Sequence, residues 1–172
     1  EWEHVTSVNK EIAVPNGGNQ QTATLVMDVD KNGVNEFIIS ERTQAPSLLF
    51  YRRTDSGWDR YVGEKEALGI EAGSAFSDID GDGDLDIVLG GDAQSNQLWW
   101  WENPYPNYQP DQAWQRRLIK DSGGKKHHDQ MFGDFDGDGK DELVFWNQMG
   151  TTLFLAEIPA NPKQAKTWQF EP

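Results

Sequence analysis

Short apolar and aromatic runs of three to five residues recur along this chain, each bounded by Gly, Asn, Asp or Pro. Runs of that length and composition read as strands, because a helix needs ten or more residues and a 3.6-residue period. One set comprises Phe37-Ile38-Ile39, Leu85 to Leu89 and Leu143 to Trp146; a second comprises Leu48 to Tyr51, Leu98 to Trp101 and Leu153 to Ala156. A third set stands upstream of these, at Thr24 to Met27, Ser74 to Ser77 and Gln130 to Gly133. A fourth is opened by tryptophan, at Trp2 to Val5, Trp58 to Val62, Trp114 to Ile119 and Trp168 to Phe170, the tryptophans lying 56, 56 and 54 residues apart. Glu64 to Leu68 alone has helical character, and it reads as a turn on a connecting loop.

Four antiparallel strands in roughly fifty residues make one blade of a β-propeller. The expected fold is all-β: a propeller segment over residues 1–172, with three four-stranded antiparallel blades and sequence repeats at about 2–57, 58–113 and 114–172. The Trp2 run adds a thirteenth strand, expected to be the outer strand of a further blade. Propellers close with about four to eight blades, so three belong to a larger ring, completed by the same protein, by another chain or by further copies in a homo-oligomer. Apolar blade faces left open would drive association of the isolated chain.

Three acidic loops repeat in phase with the strands, beginning at Asp28, Asp78 and Asp134, 50 and 56 residues apart. Each has oxygen side chains at positions 1, 3 and 5 (Asp28, Asp30, Asn32; Asp78, Asp80, Asp82; Asp134, Asp136, Asp138), Gly at position 6 and an acid at position 9 (Glu36, Asp86, Glu142). Alternate carboxylates around a sharp glycine turn suit Ca²⁺, which takes six to eight oxygen ligands; position 7 (Val34, Asp84, Lys140) would add a carbonyl. An EF-hand needs an acid at position 12 and flanking helices, whereas position 12 here is Ile39, Leu89 or Phe145 in a strand. Eleven carboxylates at three points repel one another strongly without a cation. Asn32 leaves the first loop one carboxylate short of the others, so it is expected to be the weakest of three structural Ca²⁺ sites.

The Asp-x-Asp-x-Asp/Asn-Gly-x-x-Asp/Glu loop between two strands, repeated three times in register, resembles the FG-GAP and VCBS-type propeller repeats of extracellular bacterial proteins and the integrin alpha-chain head. Trp100-Trp-Glu-Asn-Pro104 and the Trp-opened strand are similar to the bacterial branch. The resemblance implies Ca²⁺ in the loops and an extracellular, periplasmic or cell-surface location.

Charge narrows the partners. The chain carries 15 Lys+Arg against 29 Asp+Glu, a net charge of −14 that three divalent ions would bring to about −8. It would repel nucleic acid and anionic lipid, and no apolar run is long enough to span a membrane. Glu1 to His4 lacks the pattern of a secretory signal, so location is read from the motifs. A carbohydrate or a protein is the expected ligand. No nucleophile elbow, phosphate loop, dinucleotide fingerprint or zinc constellation is present.

Parity of an up-and-down blade puts the acidic loops and Asn103 to Pro110, with Tyr105 and Tyr108 as candidate ligand contacts, on one face. The other face receives Glu41 to Pro46, Val62 to Gly73, Gly90 to Asn96, Asn147 to Thr151 and Ile119 to Asp129. The last of these carries Lys125, Lys126, His127 and His128 before an innermost strand. Imidazole beside ammonium suits proton abstraction from a uronate, which makes a polysaccharide lyase with its site at His127 or His128 the alternative to a recognition module; an integrin-like adhesion scaffold is a third reading. Strand alternation sends Trp99 and Trp101 to one blade face and Trp100 to the other, where core packing is expected rather than sugar stacking.

Overall fold

The computed structural model describes residues 3–172. It contains twelve strands and, among the described residues, no helix. They form three four-stranded antiparallel meanders. The first sheet holds β1 (Gln21–Met27), β2 (Glu36–Glu41), β3 (Leu48–Thr54) and β4 (Gly57–Glu64). The second holds β5 (Ala75–Ser77), β6 (Asp86–Gly90), β7 (Leu98–Glu102) and β8 (Gln115–Lys120). The third holds β9 (His127–Gly133), β10 (Glu142–Asn147), β11 (Thr152–Glu157) and β12 (Phe170–Glu171). Each acidic loop joins the first two strands of its sheet, as the spacing predicts. These are blade-like sheets, and among the described residues they do not close into a ring.

Two of the strand expectations need correction. Trp2 lies outside the described residues, and Glu3 to Thr6 run without strand pairing, so no thirteenth strand is seen among the described residues. The tryptophans sit in β4 at Trp58 but just ahead of β8 and β12 at Trp114 and Trp168. The Trp-opened strand closes its own sheet, so a repeat counted from each Trp crosses a sheet boundary.

Cross-strand rows explain the stacking. Leu25, Ile38 and Phe50 face one another across β1, β2 and β3. With Met27 and Leu48 they pack against Ile87, Leu89, Trp99, Trp101 and Trp114 of the second sheet. The opposite face of the second sheet, with Val88, Leu98, Trp100 and Ile119, packs on Leu143, Phe145, Ala156 and Trp168 of the third. Alternation therefore commits Trp99 and Trp101 to one interface and Trp100 to the other; all three are buried core residues and none is open to a sugar ring. A sheet covered on both faces needs apolar residues at every position, which is why β6 and β7 lack the polar alternation of a half-exposed strand. On the outer side of the first sheet, Tyr51 donates its hydroxyl to Ala13 O and Arg60 donates to Pro15 O, so the segment before β1 lies over that face.

Candidate metal centres

The second and third acidic loops repeat at the level of single hydrogen bonds, and the first differs in that Asn32 at position 5, rather than the residue at position 4, donates to position 1. At position 1, both oxygens of Asp28 accept from Asn32 and Gly33 N–H, those of Asp78 from Gly81 and Gly83, and those of Asp134 from Gly137 and Gly139. The position 5 side chain accepts from the N–H of position 7: Asn32 from Val34 at 2.7 Å, Asp82 from Asp84 at 3.2 Å and Asp138 from Lys140 at 2.9 Å. The turn requires left-handed backbone at position 6, where Gly33, Gly83 and Gly139 have φ of 84°, 88° and 88°. An Asx-rich hairpin of this kind holds its carboxylates on one side because their backbone partners are all on the other.

In each loop three acids bring one oxygen apiece to within 4.8 Å of one another: Asp28, Asp30 and Glu36; Asp78, Asp80 and Asp82; Asp134, Asp136 and Glu142. Two ligands on opposite sides of a Ca²⁺ stand about 5 Å apart, so the spacing suits the ion. The first loop gives the sharpest test of fit. Asp30 Oδ1 and Glu36 Oε1 are buried there without a hydrogen-bond partner, and burial together with Asp30 and Asp28 pushes the Glu36 carboxyl up. Two orphaned carboxylate oxygens in one cluster are costly unless a cation meets them. The hard oxygen set fits Ca²⁺ or Mg²⁺, not a soft transition metal.

Position 9 divides in a way the repeat pattern conceals. In every loop one oxygen of this acid accepts the N–H of position 2, from Val29, Ile79 or Phe135. Glu36 and Glu142 also reach their clusters, but Asp86 does not. One methylene shorter, it is fully buried and spends its second oxygen on Asn103 N–H at 2.8 Å. Burial first, then the neighbouring Asp80 and Asp84, pushes its carboxyl up to about 8. Position 7 also differs. Val34 and Lys140 are exposed, whereas the Asp84 side chain is buried beside Asp82 and Asp80, with Oδ1 unpartnered and its pKa up at about 7. The sequence marks Asp84 only as a carbonyl donor; its buried acid is a feature of tertiary packing.

The remaining candidate residues separate. Tyr105 is exposed, with Lys31 Nζ 5.3 Å from its ring centroid. Tyr108, expected beside it as a surface contact, is turned inward. It packs edge-on to Phe50 and donates its hydroxyl to Val29 O and Asn103 Oδ1, because the second sheet's loop must cover the end of the first core.

On the opposite face, Lys125 is exposed and Lys126 half-buried. His127, proposed for the mouth, is instead fully buried. Its Nε2 lies 3.1 Å from both Lys120 Nζ and Asn96 O, and Lys120 Nζ also donates to Asn96 O and Gly124 O. Burial, reinforced by Lys120, holds the imidazole down at about 4, and burial brings Lys120 down to about 8. Period-two alternation turns His128 outward, 3.1 Å from Asp129 and 3.8 Å from Glu71. Glu71, which sequence reasoning missed, is the buried hub of this face: Arg42 pairs with it closely, and Lys126 lies 3.8 Å away. It ties the loops of all three sheets together. Its only signal in the sequence is a charge in an otherwise featureless connection.

No curated protein matches the chain significantly. Residues 78–145, from the second acidic loop through the third, match the family model of the FG-GAP-like repeat. Three blade-like sheets with the same acidic hairpin at the same point, and that match across two of the hairpins, identify the chain as one that carries FG-GAP-type repeats.

Proposed function

We propose that the chain is a Ca²⁺-stabilised propeller segment that acts outside the cytoplasm as a recognition module for carbohydrate or protein. The observation that carries the metal reading is the first loop, where two buried, unpartnered carboxylate oxygens meet in a cluster whose layout recurs in the third loop and, at positions 1 and 3, in the second. Fixed ligands from one hairpin suit a structural ion. The enclosed His127 gives a lyase little support, since a general base must reach its substrate.

The third sheet supports assembly with more blades. Its row Met131, Val144 and Leu155 occupies the positions of Leu25, Ile38 and Phe50 in the first sheet and of Ala75, Val88 and Trp100 in the second. Those two rows face the next sheet, whereas Met131 and neighbouring Leu153 are 57% and 53% exposed. A further blade, from this protein, another chain or a second copy, is the natural cover.

Native mass spectrometry of the chelator-stripped chain with added Ca²⁺ tests the metal reading: three bound ions are expected, and none at millimolar Ca²⁺ would overturn it. A glycan array run with and without Ca²⁺ separates carbohydrate recognition from a protein platform.

A further inference from the structure

The second and third loops are identical at positions 1 and 3 to 6 and differ at positions 7 and 9, where Asp84 and Asp86 stand against Lys140 and Glu142. The structure adds a difference at position 3. The connection between β11 and β12, which belongs to the third sheet, places Lys163 Nζ 2.8 Å from Asp80 Oδ2, 3.7 Å from Asp82 Oδ2 and 3.0 Å from Glu102 Oε1. The other oxygen of Asp80 accepts the N–H of Asp82, and Oδ2, buried without an aligned hydrogen bond, has the Lys163 ammonium as its ion-pair partner. In the third loop Asp136 Oδ1 makes the equivalent bond to Asp138 N–H, and among the described residues no cation pairs with Asp136. In the first loop Arg52 takes Asp30 Oδ2 but leaves Oδ1 without a partner. Only in the second loop does position 3 face a backbone N–H on one oxygen and a side-chain cation on the other.

Lys163 is delivered rather than drifting. Its carbonyl accepts from Arg117 Nη1 at 2.8 Å, and the same guanidinium grips Glu102 through Nη2 and Nε. Trp168 N–H donates to Ile119 O farther along the same connection. The Asp80 side chain is almost wholly buried beneath the ammonium. A divalent ion bound to Asp80 would lie about 5 Å or less from an ammonium that stayed in place, a strongly repulsive separation.

We propose that Lys163 is an internal competitor for the divalent cation at the second loop, setting its affinity below that of the third and linking its occupancy to the seating of the β11–β12 connection. The inference rests on the Ca²⁺ reading of the loops. Ion entry moves Lys163 off Asp80 and Asp82 and leaves it on Glu102. By reciprocity, whatever holds the β11–β12 connection against the second sheet weakens Ca²⁺ there by the same factor.

The position 6 glycine amides report the loops one at a time, so the test is a Ca²⁺ titration of the isotope-labelled full chain, following Gly83 and Gly139 by NMR. In the wild-type chain the Gly83 transition is expected at higher Ca²⁺ than that of Gly139. In Lys163→Met the Gly83 midpoint should fall roughly fivefold, the scale of one partly exposed ion pair, with Gly139 unmoved; Lys163→Arg, which restores a cation, should bring the shift back. Acetylation of Lys163, read by mass spectrometry, should rise with Ca²⁺ in the wild type. Glycine shifts that occur but have the same Gly83 midpoint in wild type and Lys163→Met overturn the proposal and leave Ca²⁺ binding standing. No shift at either glycine up to millimolar Ca²⁺ overturns both.

Discussion

At the scale of single residues, charge and burial decide which of two similar side chains matters. Asp136 has one oxygen free of protein partners in an open cluster, so Asp136→Ala should remove the Ca²⁺-dependent stabilisation of its loop, about 2 to 3 kcal/mol at a hundredfold excess of ion over Kd. Asn32→Ala, which removes no charge, should cost less; thermal melts with and without Ca²⁺ give the comparison. His127 makes a pH prediction. Its pKa is about 4 in the folded chain and near 6.5 when unfolded. Between these values the unfolded state binds the extra proton, so this residue's contribution is complete above about pH 6.5 and is lost progressively as pH falls toward 4. Urea midpoints at pH 7 and pH 5 should differ more for the wild type than for His127→Gln, which keeps an acceptor for Lys120 and does not titrate. An equal pH dependence in the two proteins would count against a buried neutral imidazole.

At the scale of elements, the central sheet is the keystone. Trp100 is fully buried where the second and third sheets meet, and Arg117 lies over its ring. Trp100→Ala should destabilise by about 3 to 5 kcal/mol, the usual cost of emptying an aromatic core site. Tyr105→Ala, on an exposed turn, should change the unfolding free energy from the same denaturation curves by under about 0.5 kcal/mol. The elements themselves were legible because short apolar runs between turn residues have few alternatives, and the opposite facing of Trp99 and Trp100 follows directly from alternation within Leu98 to Trp101. The ends were less legible. Trp2 to Val5 read as a strand, but Glu3 to Val5 have no pairing partner among the described residues, and β12 has only two paired residues although Trp168 announces it earlier. A strand exists only if a neighbour accepts its hydrogen bonds, and local pattern does not report the neighbour.

At the scale of the whole molecule, three stacked sheets leave one interface-like row without a covering sheet, at exposed Met131 and half-buried Val144 and Leu155. Sedimentation velocity of the 172-residue chain should show concentration-dependent association, weakened by Leu155→Lys; a monomer across the full concentration range in both proteins would contradict this. Ca²⁺ should act on the same scale, because each loop ties the first two strands of its sheet. Chelation is expected to lower Tm by about 2 to 4 °C for every kcal/mol of binding energy withdrawn.

Period-two alternation, turn chemistry and the fifty-residue beat are local properties, and they determined the strands, the count of sheets, the acidic hairpins and the opposite fates of Trp99 and Trp100. What remained was decided by approach between segments distant in sequence. The burial of Tyr108 and His127, the withdrawal of Asp86 to Asn103, the Glu71 hub and the ammonium of Lys163 over Asp80 all depend on a neighbouring sheet or loop arriving at a particular distance. Side-chain type states which interactions a residue is able to make; only the tertiary structure supplies the partner, and with it the desolvation and Coulomb energies that set similar loops further apart.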